Sequence, residues 1–236
     1  MLKLATKFVP RQPAFEMAYQ AGFRAAELWS NAATLAEWEA VARQARHYPF
    51  QYVLHFPNRL EQPPATLEHA VLLYRALQCQ TLVIHQPHFD RYGQALLQLE
   101  PSLNPAVENH KLSPPEFEQW AEQNPGLTLD VEHFWKFTEH DAPLDRLLSK
   151  LQRFLSQYGR TLRHVHLPGY LPGCDEHRPM YASRDLVFVV LSLLDAYNFG
   201  GLIVSEVDLP FQNPLELRMD VLLFDAWRQQ HDPLAQ

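Results

Sequence analysis

Short apolar runs alternate along almost the whole chain with longer stretches whose apolar positions recur at a helical period. Runs of the first kind predict strands and stretches of the second kind predict helices; their regular alternation is how parallel β-α units look in sequence. Strands are expected at Leu2–Phe8, Ala25–Trp29, Gln51–His55, Thr81–His85, Ala106–Glu108, Leu127–Val131, Leu162–Leu167 and Leu202–Glu206. Helices are expected between them. Pro13–Ala21 opens on a proline suited to a first turn and closes near Gly22, and Thr34–Arg46 turns Leu35, Trp38 and Val41 to one side. Pro64–Leu77, Arg91–Leu99 and Ser113–Gln123 follow, the last with Ser113 placed to cap it. Pro143–Tyr158 is expected to end at Gly159 in a left-handed cap, and Ser183–Tyr197 and Asn213–Gln229 complete the set. A strand every ~20 to 40 residues over 236 residues fits one (β/α)8 barrel, a single domain over residues 1–236.

Composition narrows the partners. A hydrophobic content of 47% suffices for a substantial core, and a formal charge of −7 offers no general attraction for nucleic acid or an anionic membrane surface. Cys79 and Cys174 lie far apart, which fits a reducing compartment rather than a disulfide framework, and Cys174 is expected as a buried thiol. The opening MLKLATKFVP has lysines interrupting its apolar residues, and charged, Pro or His residues break every apolar run well short of the ~20 residues of a membrane span. A soluble cytoplasmic protein with no membrane partner is the expectation.

In an eightfold barrel the active site lies at the carboxyl ends of the strands, and here those ends are polar. His55, His85, Glu108, Asp130, His133, His166, Asp175, His177 and Glu206 each sit at or just beyond the end of an apolar run. Imidazoles and carboxylates in this mixture are the donors that divalent metals take. A lone histidine at a strand end is more often a hydrogen-bonded structural residue, a reading that suits His47, His69 and His231 but not so many donors in register. Of the strand-seven histidines, only His166 is expected to face the barrel mouth, with His164 on the other side. Lys7, Glu27, Trp29, His88, Lys111, Lys136, Arg178 and His164 lie near the site face as possible substrate contacts, while Trp29, Phe134 and Trp135 read first as packing. Asn109 and His110, next to Glu108, suit a role in orienting ligands.

This pattern resembles the xylose isomerase-like TIM barrel superfamily, which includes endonuclease IV and divalent-metal sugar isomerases and epimerases. The shared core is Glu after strand five, Asp after strand six, His after strand seven and Glu after strand eight, matched by Glu108, Asp130, His166 and Glu206. The chain also carries the Asp-x-x-His motif as Asp130-Val131-Glu132-His133 and the Asp-x-His motif as Asp175-Glu176-His177. With His55 and His85 these make up the nine-ligand set of endonuclease IV-like proteins. The resemblance implies that Glu108 bridges two metals, that His55 and His85 complete the first, that Asp130, His166 and Glu206 hold the second, and that His133, Asp175 and His177 hold the third. It implies two or three divalent ions, zinc first with Mn and Fe as alternatives, and a metal-activated water as nucleophile.

A metal-dependent phosphoester hydrolase is therefore the leading expectation, acting on a nucleic-acid end or a smaller phosphorylated metabolite, with a small phosphorylated or sugar-like molecule expected as the partner. Duplex DNA is disfavoured by the acidic charge and by the short loop Phe56-Pro57-Asn58-Arg59-Leu60, and Leu167-Pro168-Gly169 replaces the polar residues the family has after His166. The alternative is a sugar isomerase or epimerase in which Glu108 and Glu206 move protons beside a carbonyl. A non-catalytic metal-containing binding protein is the third reading.

Overall fold

The computed structural model describes residues 1–60, 62–174 and 177–231. Eight parallel strands close into a barrel, each paired with the next and the first with the last: β1 (Lys3–Phe8), β2 (Ala25–Trp29), β3 (Gln51–His55), β4 (Leu82–His85), β5 (Pro105–Glu108), β6 (Leu127–Asp130), β7 (Leu162–His166) and β8 (Leu202–Ser205). Every expected strand is present, its ends displaced by no more than one residue. Around the barrel run α1 (Gln12–Ala21), α2 (Ala32–Ala36), α3 (Trp38–Ala45), α4 (Pro63–Ala76), α5 (Gln86–Leu99), α6 (Pro114–Gln123), the short turn α7 (Val131–His133), α8 (Leu144–Tyr158), α9 (Arg184–Ala196) and α10 (Pro214–His231). No helix among the described residues is long and apolar enough to cross a membrane.

Local chemistry explains several helix boundaries. Ser113 and Glu116 form a reciprocal capping box at the start of α6, as the serine promised. Gly22 closes α1 at φ 110, a left-handed conformation that favours glycine. Three expectations need correcting. The segment expected as one helix over Thr34–Arg46 is two, because Asn31 and Thr34 cap a short α2 and Glu37, at φ −102 and ψ 25, breaks the path before α3. The helix expected from Arg91 starts at Gln86, directly after His85, because Pro87 falls in its first turn, where a missing N–H costs nothing. Gly159 stays right-handed at φ −56, and its N–H still bonds to the Leu155 carbonyl at 2.9 Å, so it continues the helical pattern instead of capping it.

Two-residue alternation sorts the strand residues between the barrel interior and the helices. Ala5, Ala25, Val53, Val83, Leu202 and Val204 form a small aliphatic cluster of their own inside the barrel. One step further along the same faces stand Lys7, Glu27, His55, His85 and Glu206, so the interior passes from an apolar floor to a polar mouth. The opposite faces of the strands, among them Leu28, Leu54, Ile84, Val107, Leu129, Val165 and Ile203, belong to the main core shared with the helices. Trp120 of α6 anchors that core between α6 and α8: its indole N–H donates to the Val107 carbonyl at 3.2 Å and its ring stacks on Phe154 at 6.1 Å.

Trp120→Ala removes both contacts from a residue only 2% exposed and is expected to cost about 3–5 kcal/mol in urea unfolding. A loss below about 1 kcal/mol would mean that α6 does not depend on this anchor.

Candidate metal centre

Each strand-end side chain is aimed by a local device. After β6, Asp130 caps α7, its Oδ1 accepting the backbone N–H of His133 at 2.7 Å. The Asp-x-x-His spacing is therefore a capped helical turn, continued by a π-helical turn over Phe134–Thr138. The cap uses one carboxylate oxygen and leaves Oδ2 buried without a hydrogen bond, 3.6 Å from both His133 Nδ1 and His166 Nδ1. Asn109 braces this corner by accepting the Asp130 N–H at 2.7 Å and donating to the Asp130 carbonyl at 3.0 Å, the orienting role expected of it.

His177 is held by backbone pairing. Gly169 and Arg178 exchange hydrogen bonds of 2.7 and 2.9 Å in an isolated antiparallel bridge, and Glu132 Oε2 accepts the His177 N–H at 2.9 Å. A Cβ on residue 169 would lie 2.0 Å from the Pro179 carbonyl oxygen, so the bridge requires the glycine. The Leu167-Pro168-Gly169 departure thus has a structural purpose: it carries the pairing that fixes His177.

Glu108 sits at the middle of the assembly. Its Oε2 lies 3.2 Å from His55 Nε2 and 3.3 Å from His85 Nε2, while Oε1 lies 3.6 Å from His166 Nδ1 and 3.9 Å from His133 Nδ1. His166 Nδ1 is also 2.7 Å from Glu206 Oε2, close but not aligned as a hydrogen bond. Ligand atoms fall within 4.8 Å of one another in His55, His85 and Glu108, in Glu108, Asp130 and His166, and in Asp130, His133 and His177. The first two sets follow the expected division, with Glu206 bordering the second. In the third, Asp130 stands with the two histidines; Asp175, expected there, lies outside the described residues.

Two observations test whether these residues fit a metal. His55 Nδ1 faces the Phe56 carbonyl at 2.8 Å and its Nε2 faces Glu108 Oε2 at 3.2 Å, so two acceptors oppose the ring. Burial lowers the pKa of this imidazole, and a neutral ring has one hydrogen to give. The second approach sets a lone pair against a carboxylate, which a cation between them would relieve. Moreover, Asp130 Oδ2, His166 Nδ1, His177 Nε2 and Glu206 Oε2 are all buried with no hydrogen-bond partner, although each is a metal donor atom. The residues fit a divalent cation.

Within the protein itself, neighbouring charges offset one another in part. Burial pushes Glu108 and Glu206 up, but His85 and His166 beside the first, and His166, Lys7 and His177 beside the second, hold both well below the usual carboxylate range. Burial lowers His166, yet Glu206, Glu27 and Glu108 raise it well above the ordinary imidazole value. Lys7 stays protonated despite burial because Glu206, Glu27 and Glu108 surround it, with Nζ 2.5 Å from Glu206 Oε1 and 3.3 Å from Glu27 Oε1.

Several neighbouring residues fall elsewhere than expected. His164 does not point away from His166: residues two apart on a strand share a face, and both Nε2 atoms reach Glu27 Oε2, at 2.6 and 3.0 Å. Glu27, named only as a substrate contact, is fully buried beneath the mouth. Trp29 is 39% exposed and lines the cavity rather than packing inside, whereas Phe134 and Trp135 are buried. His110 lines the cavity, stacked on His85 at 4.9 Å, and burial together with His85 and His133 takes its pKa down to about 4. Lys111 also lines the cavity, but His88 instead joins the loop after β3 through the Asn58 carbonyl at 3.1 Å. Cys174 is exposed, not buried.

The cavity over these residues measures about 270 Å³, near the small end of ligand sites. Larger hollows of about 480 and 530 Å³ elsewhere on the surface contain none of the donor clusters.

No known family and no curated protein matches the chain by sequence. Solved structures match along nearly its whole length. A D-tagatose 3-epimerase-like protein has a TM-score of 0.67 at 14% identity, covering 97% of this chain and 98% of its own. D-allulose 3-epimerase from Methylomonas sp., solved with D-allulose, has a TM-score of 0.61 at 15% identity, covering 96% and 97%. Dihydropteroate synthase from Thermus thermophilus also reaches 0.61 at 15% identity, covering 98% and 94%. At such identities the likeness shows the fold alone, an eight-stranded TIM barrel. The hydrolase that led the sequence reading has no counterpart among these, and the epimerase alternative has two.

Behind the site, the loop after Arg178 is tied to α10 by Asp220, which accepts the Met180 N–H at 2.7 Å and the Ser205 hydroxyl. Burial raises the Asp220 pKa from 3.8 to about 7, against these hydrogen bonds. A carboxyl raised on folding contributes stability that is fully present below its unfolded pKa and lost as the pH rises through the folded value. Wild type is therefore expected to lose stability relative to Asp220→Asn between about pH 4 and about pH 8 in urea unfolding. A pH-independent difference between the two would contradict a protonated Asp220.

Proposed function

We propose that the chain is a divalent-metal isomerase or epimerase of a small sugar-like carbonyl compound, with Glu108 and Glu206 as its proton-transferring pair. The observation that carries this reading is that both carboxylates, from different strands, converge on one ring nitrogen of His166 at the floor of a small cavity. Both are held ionised, as a group that must accept a proton has to be. One, ionised, takes the proton from the carbon beside a carbonyl. The other, having first taken up a proton from water, returns it to the opposite face and is left ionised, and the first then sheds the abstracted proton to water. Glu108, Asp130, His166 and Glu206 would hold the cation, whose chemistry when bound is to polarise the substrate's carbonyl and hydroxyl oxygens. His110, kept neutral, and Trp29 offer a ring edge and an apolar face to a sugar.

The D-allulose complex of a protein with this fold supports the substrate class. Lys7 supports it too: this buried ammonium is taken up by Glu206 and Glu27, which leaves the floor acidic and poorly suited to a phosphate. The volume suits a metabolite and not a duplex.

A second reading, a multinuclear hydrolase of a small phosphoester, is favoured by one observation: His55, His85, His133 and His177 extend the core into three clusters sharing Glu108 and Asp130. Metal content separates the readings. Elemental analysis giving one Mn, Co or Mg equivalent supports the isomerase, and two or three Zn, Mn or Fe equivalents with phosphatase activity support the hydrolase.

For the leading reading, the metal-loaded protein in D2O is expected to introduce deuterium beside the carbonyl of at least one ketose in a panel of ketopentoses and ketohexoses, followed by NMR. Absence of exchange across the panel would sink it. Glu108→Gln is expected to lose bound metal and exchange together by at least about tenfold; normal metal content in that variant would remove Glu108 from the core.

A further inference from the structure

Glu27 is the one strand-two residue buried beneath the mouth whose carboxylate meets two imidazoles at once. Both rings approach the same oxygen, Oε2, with His164 Nε2 at 2.6 Å and His166 Nε2 at 3.0 Å, and all three residues are fully buried. An ionised carboxylate only accepts hydrogen bonds, so both Nε2 atoms must carry hydrogens. With its Nε2–H committed to Glu27, His166 turns Nδ1 toward Glu108, Asp130 and Glu206, at 3.6, 3.6 and 2.7 Å. A flipped ring would set carbon against Glu27 and forfeit a charge-assisted bond inside the barrel.

The other oxygen of the same carboxylate faces Lys7, which in turn holds Glu206. One buried group thus braces two members of the core from outside it, His166 directly and Glu206 through a lysine. His164 makes the arrangement more telling. It stands one step deeper than His166, at the level of the interior cluster of Ala, Val and Leu, where a buried imidazole with an unpartnered Nδ1 adds nothing to packing that an aliphatic side chain would not.

We infer that Glu27 is a positioning residue: it fixes His166 with Nδ1 presented to the cation site, while His164 and Lys7 hold Glu27 in place. The inference rests on the proposed metal-binding core, and its test separates the two. In the metal-free protein labelled with 15N-histidine, the His166 and His164 Nε2 hydrogens are expected as two strongly downfield proton signals. His164→Ala should remove one, and Glu27→Ala should shift or remove both. A His166 hydrogen bond unchanged in Glu27→Ala would overturn the proposal whatever the metal does.

Competition against a chromogenic chelator with Zn²⁺ and Mn²⁺ then gives the second readout. Glu27→Gln, nearly the same in shape, is expected to weaken metal binding about 10- to 100-fold, with partial recovery in Glu27→Asp. Unchanged affinity in a folded Glu27→Gln protein, judged by circular dichroism, would overturn it equally. If wild type binds no metal, the core reading fails on its own, and the signals still decide the role of Glu27.

Discussion

Four carboxylates, Glu27, Glu108, Asp130 and Glu206, converge at one end of the barrel with side chains no more than 15% exposed. Like charges in so little water would repel one another or take up protons unless opposite charge stood among them. The rest of the mouth supplies part of that charge: the ammonium of Lys7 and the imidazolium of His166. The compensation is incomplete without a cation, as the unpartnered donor atoms of Asp130, His166, His177 and Glu206 record.

Such an assembly needs a rigid and narrow floor. Ala5, Ala25, Val53, Val83, Leu202 and Val204 fill the barrel beneath it. Small side chains there let the longer polar ones above lean inward and meet, which larger residues at the same level would prevent. The local devices then set angles more than positions: the Asp130 cap spends one oxygen and frees the other, and the Gly169–Arg178 bridge presents His177 without a helix or strand beneath it.

The strand pattern was legible because a strand buried on both faces reads as an unbroken apolar run, and the polar residue that ends the run is the one at the barrel mouth. His55, His85, Glu108, Asp130 and His166 were found in this way, and the structure brings them together. Helix starts were harder to read, since Pro87 is as compatible with a first turn as with a loop. His164 was misplaced because residues two apart were set on opposite faces, although the strand repeat puts them on one, and Glu27 was read near the site face with nothing local to give its role. Its partners, Lys7, His164 and His166, come from other strands, and such pairings become visible only when the barrel closes.

That closure ties the site to the ends of the chain. β1 and β8 are hydrogen-bonded neighbours, and above their junction Lys7 meets Glu206, 199 positions further along. The contact that balances the centre therefore also latches the seam where the ring of strands shuts. Opening the seam would strip Glu206 of its ammonium and dismantle the donor set in the same motion. By mass action, whatever binds that set binds only the shut ring and holds it shut, so filling the centre and keeping the barrel whole are a single equilibrium.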